Sequence, residues 1–178
     1  MGEADLAWYR ANAVELDFVG INYYPQFSVN EITREALDQE KVFPIVPAAG
    51  EHLVQIAEDL YRRYKKPIFI TETSYKGTVE QRIDWMEELF AACRTMVDRG
   101  VDLAGVTWFP FLDMVDWPYR TNDWKLEDNI VTFGLITLEP QADGTLKRVK
   151  NAACERFEEE IRRTRADATK EAEGAGPS

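Results

Sequence analysis

Apolar and polar positions fall into two alternating kinds of block along this chain. Short, nearly continuous apolar runs are each followed by a longer stretch in which apolar residues recur every three or four positions. The first run is Asp17-Phe18-Val19-Gly20-Ile21-Asn22, leading into Tyr23, Tyr24 and Pro25. A helix is predicted over about 50–64, where Leu53, Ile56, Ala57, Leu60 and Tyr61 fall on one face. The second run is Pro67 to Thr71 and stops on Glu72. Beyond Gly77, Ile83, Met86, Leu89, Phe90, Cys93, Met96 and Val97 make the stripe of a helix over about 79–98, ended by Arg99-Gly100. The third run is Leu103 to Trp108. An aromatic loop through Trp117, Tyr119 and Trp124 follows it. Phe133 to Leu138 reads as a short strand, and Asp143-Gly144 marks a turn between apolar positions on either side. A last helix is expected over about 150–165. The segment 167–178 is polar, with Gly174, Gly176 and Pro177, and reads as a disordered tail behind one unit spanning 1–166.

Strands alternating with helices argue for a parallel sheet. Such strands are buried on both faces and read as continuous hydrophobe, with chemistry at their carboxyl ends. Glu72 is the first charged residue at such an end, which makes it the leading candidate for a catalytic group; an exposed polar residue closing a strand is the plain alternative. Three strand–helix units cannot close an eight-stranded barrel, and an open layer of three would leave its helical faces poorly covered. The pattern reads as part of something larger. The segment from about Gln26 to Ala49, punctuated by Pro44 and Pro47, is long for a loop in a compact domain, a length often tied to function.

Composition narrows the function classes. The 178 residues are 45% hydrophobic and 30% charged, ordinary for a globular protein. A net charge of −11 argues against nucleic acid and anionic membrane surfaces as partners. Cys93 and Cys154 make no disulfide framework and read as small buried hydrophobes in helical patterns. His52 is the one histidine and reads as a surface residue, so no transition-metal site is expected. No basic segment followed by an apolar stretch opens the chain, and no apolar run nears the ~18 residues of a membrane span, from which a cytoplasmic location is expected. Aromatic residues reach 12%, five of them tryptophan, a composition shared by cores and by carbohydrate sites.

Four segments together resemble the family-1 glycoside hydrolases. Asp17 to Tyr24 resembles that family's Asn-Tyr-Tyr strand. Ile70-Thr71-Glu72 resembles its Thr-Glu-Asn-Gly strand. Gly100 to Trp108, continuing to Leu112-Asp113 and Asp116-Trp117, resembles its final barrel strand and loop. Phe133-Gly134-Leu135, with Arg148 and Lys150 ahead of a helix, resembles its C-terminal signature. The order and spacing of the four carry more weight than any one of them, and they span about Glu15 to Ile161.

The resemblance implies part of a (β/α)8 barrel, roughly its last three units, strands six to eight. It implies a retaining β-glycosidase with no cofactor and no metal, acting on a carbohydrate substrate. Glu72 would be the nucleophile and Tyr24 the hydrogen-bond donor that aims it. Asn22, two residues before Tyr24, shares its strand face. Asn22, Asp116 and Trp117 would bind sugar, while Trp108 stands open between core packing and the wall of the sugar site. Thr73-Ser74 stand where the family has Asn-Gly, Phe109-Pro110 where it has Ser-Leu, and Asp116 where it has glutamate. The family's acid/base glutamate lies in an Asn-Glu-Pro motif, and no such tripeptide occurs here. The chain by itself is therefore expected to be inactive, with an N-terminal half of the barrel as implied partner. A non-catalytic carbohydrate-binding remnant, kept for its aromatic loop, is the alternative reading. A clan relative acting on polysaccharide is a third.

Overall fold

A computed structural model of the protein describes residues 2–34 and 45–174. A parallel three-stranded sheet lies at its centre, in the order β1 (Val19–Asn22), β2 (Ile68–Thr73), β3 (Leu103–Trp108). Helix α2 (Gly50–Tyr64) connects β1 to β2, and α3 (Val79–Asp98) connects β2 to β3. Both are strand–helix–strand crossovers, as the blocks of the sequence predict. A second helix-rich segment, α4 (Ala152–Gly174), packs against α3. An unforeseen helix, α1 (Glu3–Ala11), precedes the sheet; none of its residues is buried.

The ends of α2 and α3 have local causes. At the start of α3 the Thr78 hydroxyl accepts from Gln81 N–H, while the Gln81 side chain accepts from Thr78 N–H. This reciprocal pairing satisfies two amides that a helix start leaves open. His52 does a similar job for α2: its Nδ1 accepts the Ala49 N–H at 3.2 Å. The lone histidine is exposed, as expected, and serves as a cap. Lys65 closes α2 in the left-handed region at φ 53°, and Gly100 follows α3 at φ 82°, where a side chain would be strained.

The core lies between the sheet and its helices. Ile21, Tyr23, Ile68 and Ile70 face Leu53, Ala57, Trp85, Met86 and Leu89. Tyr23 is 1% exposed, stacks on Trp85, and donates its hydroxyl to Ala49 O at 2.8 Å. The opposite face of the sheet has no covering layer among the described residues. Gly20, Asn22 and Thr107 are exposed there, and Phe69 is half-buried beside Phe18. Gly20 and Gly105 fit closely on this face: a Cβ on Gly20 would meet Thr71 Cγ2 at 3.2 Å, and one on Gly105 would meet the Phe69 ring at 3.0 Å.

Beyond β3 the chain forms small antiparallel ribbons. Strand β4 (Met114–Val115) pairs with β5 (Ile130–Val131), and β6 (Ile136–Pro140) pairs with β7 (Leu146–Lys150) around Gly144. The turn at Asp143-Gly144 is where the sequence places it. The strand predicted from Phe133 begins three residues later, because Phe133–Leu135 bond to other partners: Phe133 O accepts from Trp108 Nε1, and Leu135 N–H donates to Phe111 O. The last helix also departs from expectation. It runs to Gly174, nine residues past Arg165, through the segment read as a disordered tail from Asp167. Ala166 and Ala168 favour helix, and Lys170 pairs with Asp167 at 3.7 Å, which sustains the helix through 166–170, all of them exposed. Residues 175–178 of that segment, and 35–44 of the long loop, lie outside the described residues.

Among the described residues, no helix is long and apolar enough to cross a membrane, and no cluster of three or more His, Cys, Asp or Glu could hold a metal ion.

Candidate active site

Glu72 lies inside β2, not just beyond it. The strand continues to Thr73, whose hydroxyl accepts from Trp85 Nε1 at 3.0 Å. Strand β1 runs in step with β2 from Val19 to Ile21, which pairs with Ile70. Asn22 then pairs with Glu72, so one residue of β2 is skipped. A register shift of this kind bends a strand and re-aims its side chains. Here Thr71, the skipped residue, donates its hydroxyl to Asn22 Oδ1 at 2.7 Å. Glu72 is held from both sides: its carbonyl accepts from Tyr23 N–H at 2.8 Å, and its Oε2 accepts from the Tyr24 hydroxyl at 2.7 Å.

Tyr24 is thus a positioned donor on a carboxylate. Burial, then the hydrogen bond to Glu72 and its negative charge, hold the Tyr24 phenol well above its ordinary range. The phenol keeps its proton across the neutral range and donates it to the carboxylate. The backbone of Tyr24 is fixed in turn, its N–H donating to Ser28 Oγ at 2.8 Å and its carbonyl accepting from Phe27 and Ser28. Asn22, Tyr24 and Glu72 therefore come together at the carboxyl ends of two parallel strands.

Trp108 is placed differently. It is 4% exposed, donates its indole N–H to Phe133 O at 2.9 Å, and meets Phe157 of α4 edge-on. Its ring is buried beside α4.

Asp116 and Trp117 form a separate outer corner. Asp116 caps a short 3₁₀ turn (Trp117–Arg120), its carboxylate accepting from Trp117 N–H at 2.8 Å. Its own N–H donates to the carbonyl of buried Asn129. Trp117 is 71% exposed, with the Arg120 guanidinium over its ring. Among the described residues, no hydrogen bond joins this corner to the Tyr24–Glu72 pair.

Behind the corner lies a contact that the sequence reading passed over. Arg82 of α3 and Asp113 are both buried and paired at 3.4 Å. Asp113 also accepts from Gly134 N–H at 2.8 Å, and Arg82 donates to Gly134 O and, at 3.3 Å, to Thr78 O. The clamp ties the chain after β3 to Gly134 and to the start of α3. A signal for it was present: Arg82 occupies the apolar stripe, three, four and seven residues before Trp85, Met86 and Leu89. A charge in such a place needs a buried partner. Ser74, next to Thr73, has a buried hydroxyl with no partner among the described residues.

This geometry can be set against known proteins. No family model matches the sequence. The chain is 24% identical to the aryl-phospho-β-D-glucosidase BglC of Bacillus subtilis (strain 168) over 184 residues, covering 82% of this chain and 37% of that protein. Among solved structures, it superposes on a β-glucosidase from Thermotoga maritima in complex with glucoimidazole with a TM-score of 0.64 at 19% identity, covering 90% of this chain and 40% of that one. It matches the GH1 β-glucosidase from Exiguobacterium antarcticum B7 with a TM-score of 0.62 at 19% identity, covering 93% of this chain and 38% of the other. The chain has the fold of part of a β-glucosidase barrel. It spans less than half the length of these relatives, and its own three parallel strands form an open sheet.

Proposed function

We propose that this chain is the nucleophile-bearing part of a retaining β-glycosidase. The observation that carries the reading is the 2.7 Å hydrogen bond from Tyr24 to Glu72 at the carboxyl ends of β1 and β2. Retaining enzymes need one carboxylate that attacks the anomeric carbon and a second carboxyl, about 5–5.5 Å away, that protonates the leaving oxygen and later activates water. Glu72 suits the first role. Tyr24 donates to one oxygen of its carboxylate and leaves the other to form the glycosyl–enzyme bond. Exposed Asn22, and Asp116 with Trp117 at the outer corner, are the groups offered to sugar hydroxyls and to the sugar's C–H face. Trp108 supports the site from the core.

No Asn-Glu-Pro strand exists in this sequence to supply the second carboxyl. The 178-residue chain alone is therefore inactive in this reading. The test is a chimaera that joins this chain to the N-terminal barrel units of one of the solved β-glucosidases, assayed with aryl β-glycosides. Activity abolished by Glu72→Gln is expected, and activity that survives the change overturns the assignment.

A second reading has an observation of its own. Trp117 and Trp124 are 71% and 63% exposed, more than a core role needs. In that reading the chain binds carbohydrate without cleaving it. Tryptophan fluorescence titrated with β-linked oligosaccharides separates the two. Micromolar binding by the chain alone, tightening with oligosaccharide length, favours the binding module and points toward polysaccharide.

A further inference from the structure

Pairing of β1 with β2 ends at Asn22 and Glu72, yet the two segments stay joined beyond that point. Gln26 stands two residues past Tyr24, and Lys76 four past Glu72. The Gln26 Nε2 donates to Lys76 O at 2.9 Å, and its Oε1 accepts from Lys76 N–H at 2.6 Å. A carboxamide has one acceptor oxygen and one donor nitrogen. Here both serve the main chain of a single residue 50 positions away, as a neighbouring strand would. Tyr24 is thereby bracketed: Tyr23 N–H binds Glu72 O before it, and the Gln26 clasp follows it.

Both sides of the clasp are themselves anchored. Gln26 lies inside the turn in which Phe27 and Ser28 N–H donate to Tyr24 O, and Tyr24 N–H donates to Ser28 Oγ. Pro25, between Tyr24 and Gln26, is buried, and its carbonyl accepts from Ala48 N–H at 2.9 Å. On the far side, Gly77 N–H donates to Thr132 O at 3.1 Å. A Cβ on Gly77 would overlap Gln81 Oε1, the atom that caps the start of α3. The turn that carries Tyr24 is thus tied to a loop seated on α3.

We propose that Gln26 is a positioning residue for the Tyr24–Glu72 pair. It holds the turn after β1 against the loop after β2, and so keeps the Tyr24 hydroxyl on Glu72 Oε2. Both polar atoms of its side chain are engaged by Lys76, so it acts through Tyr24 and not on a substrate. A donor at the end of a long side chain is aimed only as well as the backbone beneath it is held, and supporting hydrogen bonds supply that hold. A clasp that merely closed a surface loop would leave Tyr24 unaffected by its removal. The consequence for hydrolysis rests on the reading of Glu72 above; the contact itself does not.

The test treats the full 178-residue chain with tetranitromethane at about pH 8 and reads nitration at each tyrosine by peptide mass spectrometry. Nitration takes place on the phenolate. Burial, then the bond to Glu72, hold the Tyr24 phenol above its ordinary range, so Tyr24 should react far more slowly than exposed Tyr9. Gln26→Ala should raise the rate at Tyr24 by roughly tenfold or more and leave Tyr9 and Tyr23 unchanged. Gln26→Met keeps the stem without either bond and should do the same, which decides the matter if the alanine variant loses its circular dichroism. An unchanged Tyr24 rate in a folded variant overturns the proposal. So does an equal rise at Tyr23, whose hydroxyl is held by Ala49, because general loosening moves both. In the chimaeric barrel, Gln26→Ala should lower kcat for aryl β-glycosides by about tenfold with KM unchanged, and should cost nothing further in the Tyr24→Phe background. Losses that add in the double variant overturn the proposal. Faster nitration of Tyr24 in a chimaera that does not hydrolyse supports the positioning role and sinks the catalytic reading of Glu72.

Discussion

The Tyr24 hydroxyl reaches Glu72 Oε2 at 2.7 Å across a shift in register between β1 and β2. The two residues are 48 positions apart, and Thr71 is skipped in the pairing of the strands that carry them. Removing the hydroxyl with Tyr24→Phe deletes a hydrogen bond to a carboxylate while keeping the ring. Such bonds contribute about 1.5–3 kcal/mol. In the chimaeric barrel, Tyr24→Phe is expected to lower kcat for aryl β-glycosides by roughly 10–100-fold, and steady-state kinetics would show it. An unchanged kcat removes Tyr24 from the catalytic arrangement.

The Arg82–Asp113 pair should be costly to break from one side. Asp113→Ala leaves a buried guanidinium uncompensated and two backbone N–H groups, of Gly134 and Leu138, without their acceptor. Loss of one partner of a buried ion pair costs about 3–5 kcal/mol. Urea denaturation should show a drop of this size. The double change Arg82→Met with Asp113→Leu should cost less than Asp113→Ala alone, since no charge is then stranded. Equal stability of Asp113→Ala and the unaltered chain would mean that the clamp does not hold in solution.

Alkaline pH should destabilise the fold through its buried phenols. Burial, then the charge of Glu88, pushes Tyr23 up to about 12. In the unfolded chain the phenol ionises near its ordinary pKa of about 10. The unfolded state therefore gives up its proton first. The contribution of Tyr23 is complete below pH 10 and is lost as the pH rises from 10 through 12. Tyr24, also held above its ordinary range, acts in the same direction. Each phenol should contribute a slope of up to about 1.4 kcal/mol per pH unit in that window. Urea midpoints between pH 9 and 11.5 should fall less steeply in Tyr23→Phe than in the unaltered protein.

Neither cysteine should behave as a reactive thiol. Burial pushes Cys93 up to about 12, and burial followed by the charge of Glu158 raises Cys154. The thiolate is the reactive form. At pH 8 the folded chain should react with a disulfide reagent at least tenfold more slowly than the chain in denaturant, in which both thiols titrate fully. Rapid labelling of either in the folded state would show an opening that the packing around α3 and α4 does not predict.

Much of this was legible in the sequence. The continuous apolar runs at Val19–Ile21, Ile68–Ile70 and Leu103–Val106 read as strands because parallel sheets ordinarily bury both faces, although among the described residues one face of this sheet is uncovered. The stripes over 50–64 and 79–98 are helices because only that period keeps one face apolar. Their alternation left little choice but parallel crossovers. The carboxylate at the end of the second run stood out for the same reason, as the first charge after continuous hydrophobe. Periodicity failed where burial did not decide the structure. Helix α1 and residues 161–170 of α4 are exposed, so no stripe marks them.

What needed the tertiary structure was every relation between distant residues. A sequence says that Tyr24 and Glu72 stand near strand ends, but the register between two strands is set by backbone pairing, and only the folded chain shows that their side chains meet. Trp108 offered the same apolar ring to a core or to a ligand; its contact with Phe157 and its bond to the Phe133 carbonyl are relations that only the folded chain shows. Arg82 and Asp113 could become partners only once α3 and the chain after β3 had excluded water between them, since that desolvation is what forces opposite charges together. The residue types fixed which groups were available for chemistry, and packing across the sheet chose which of them stand side by side.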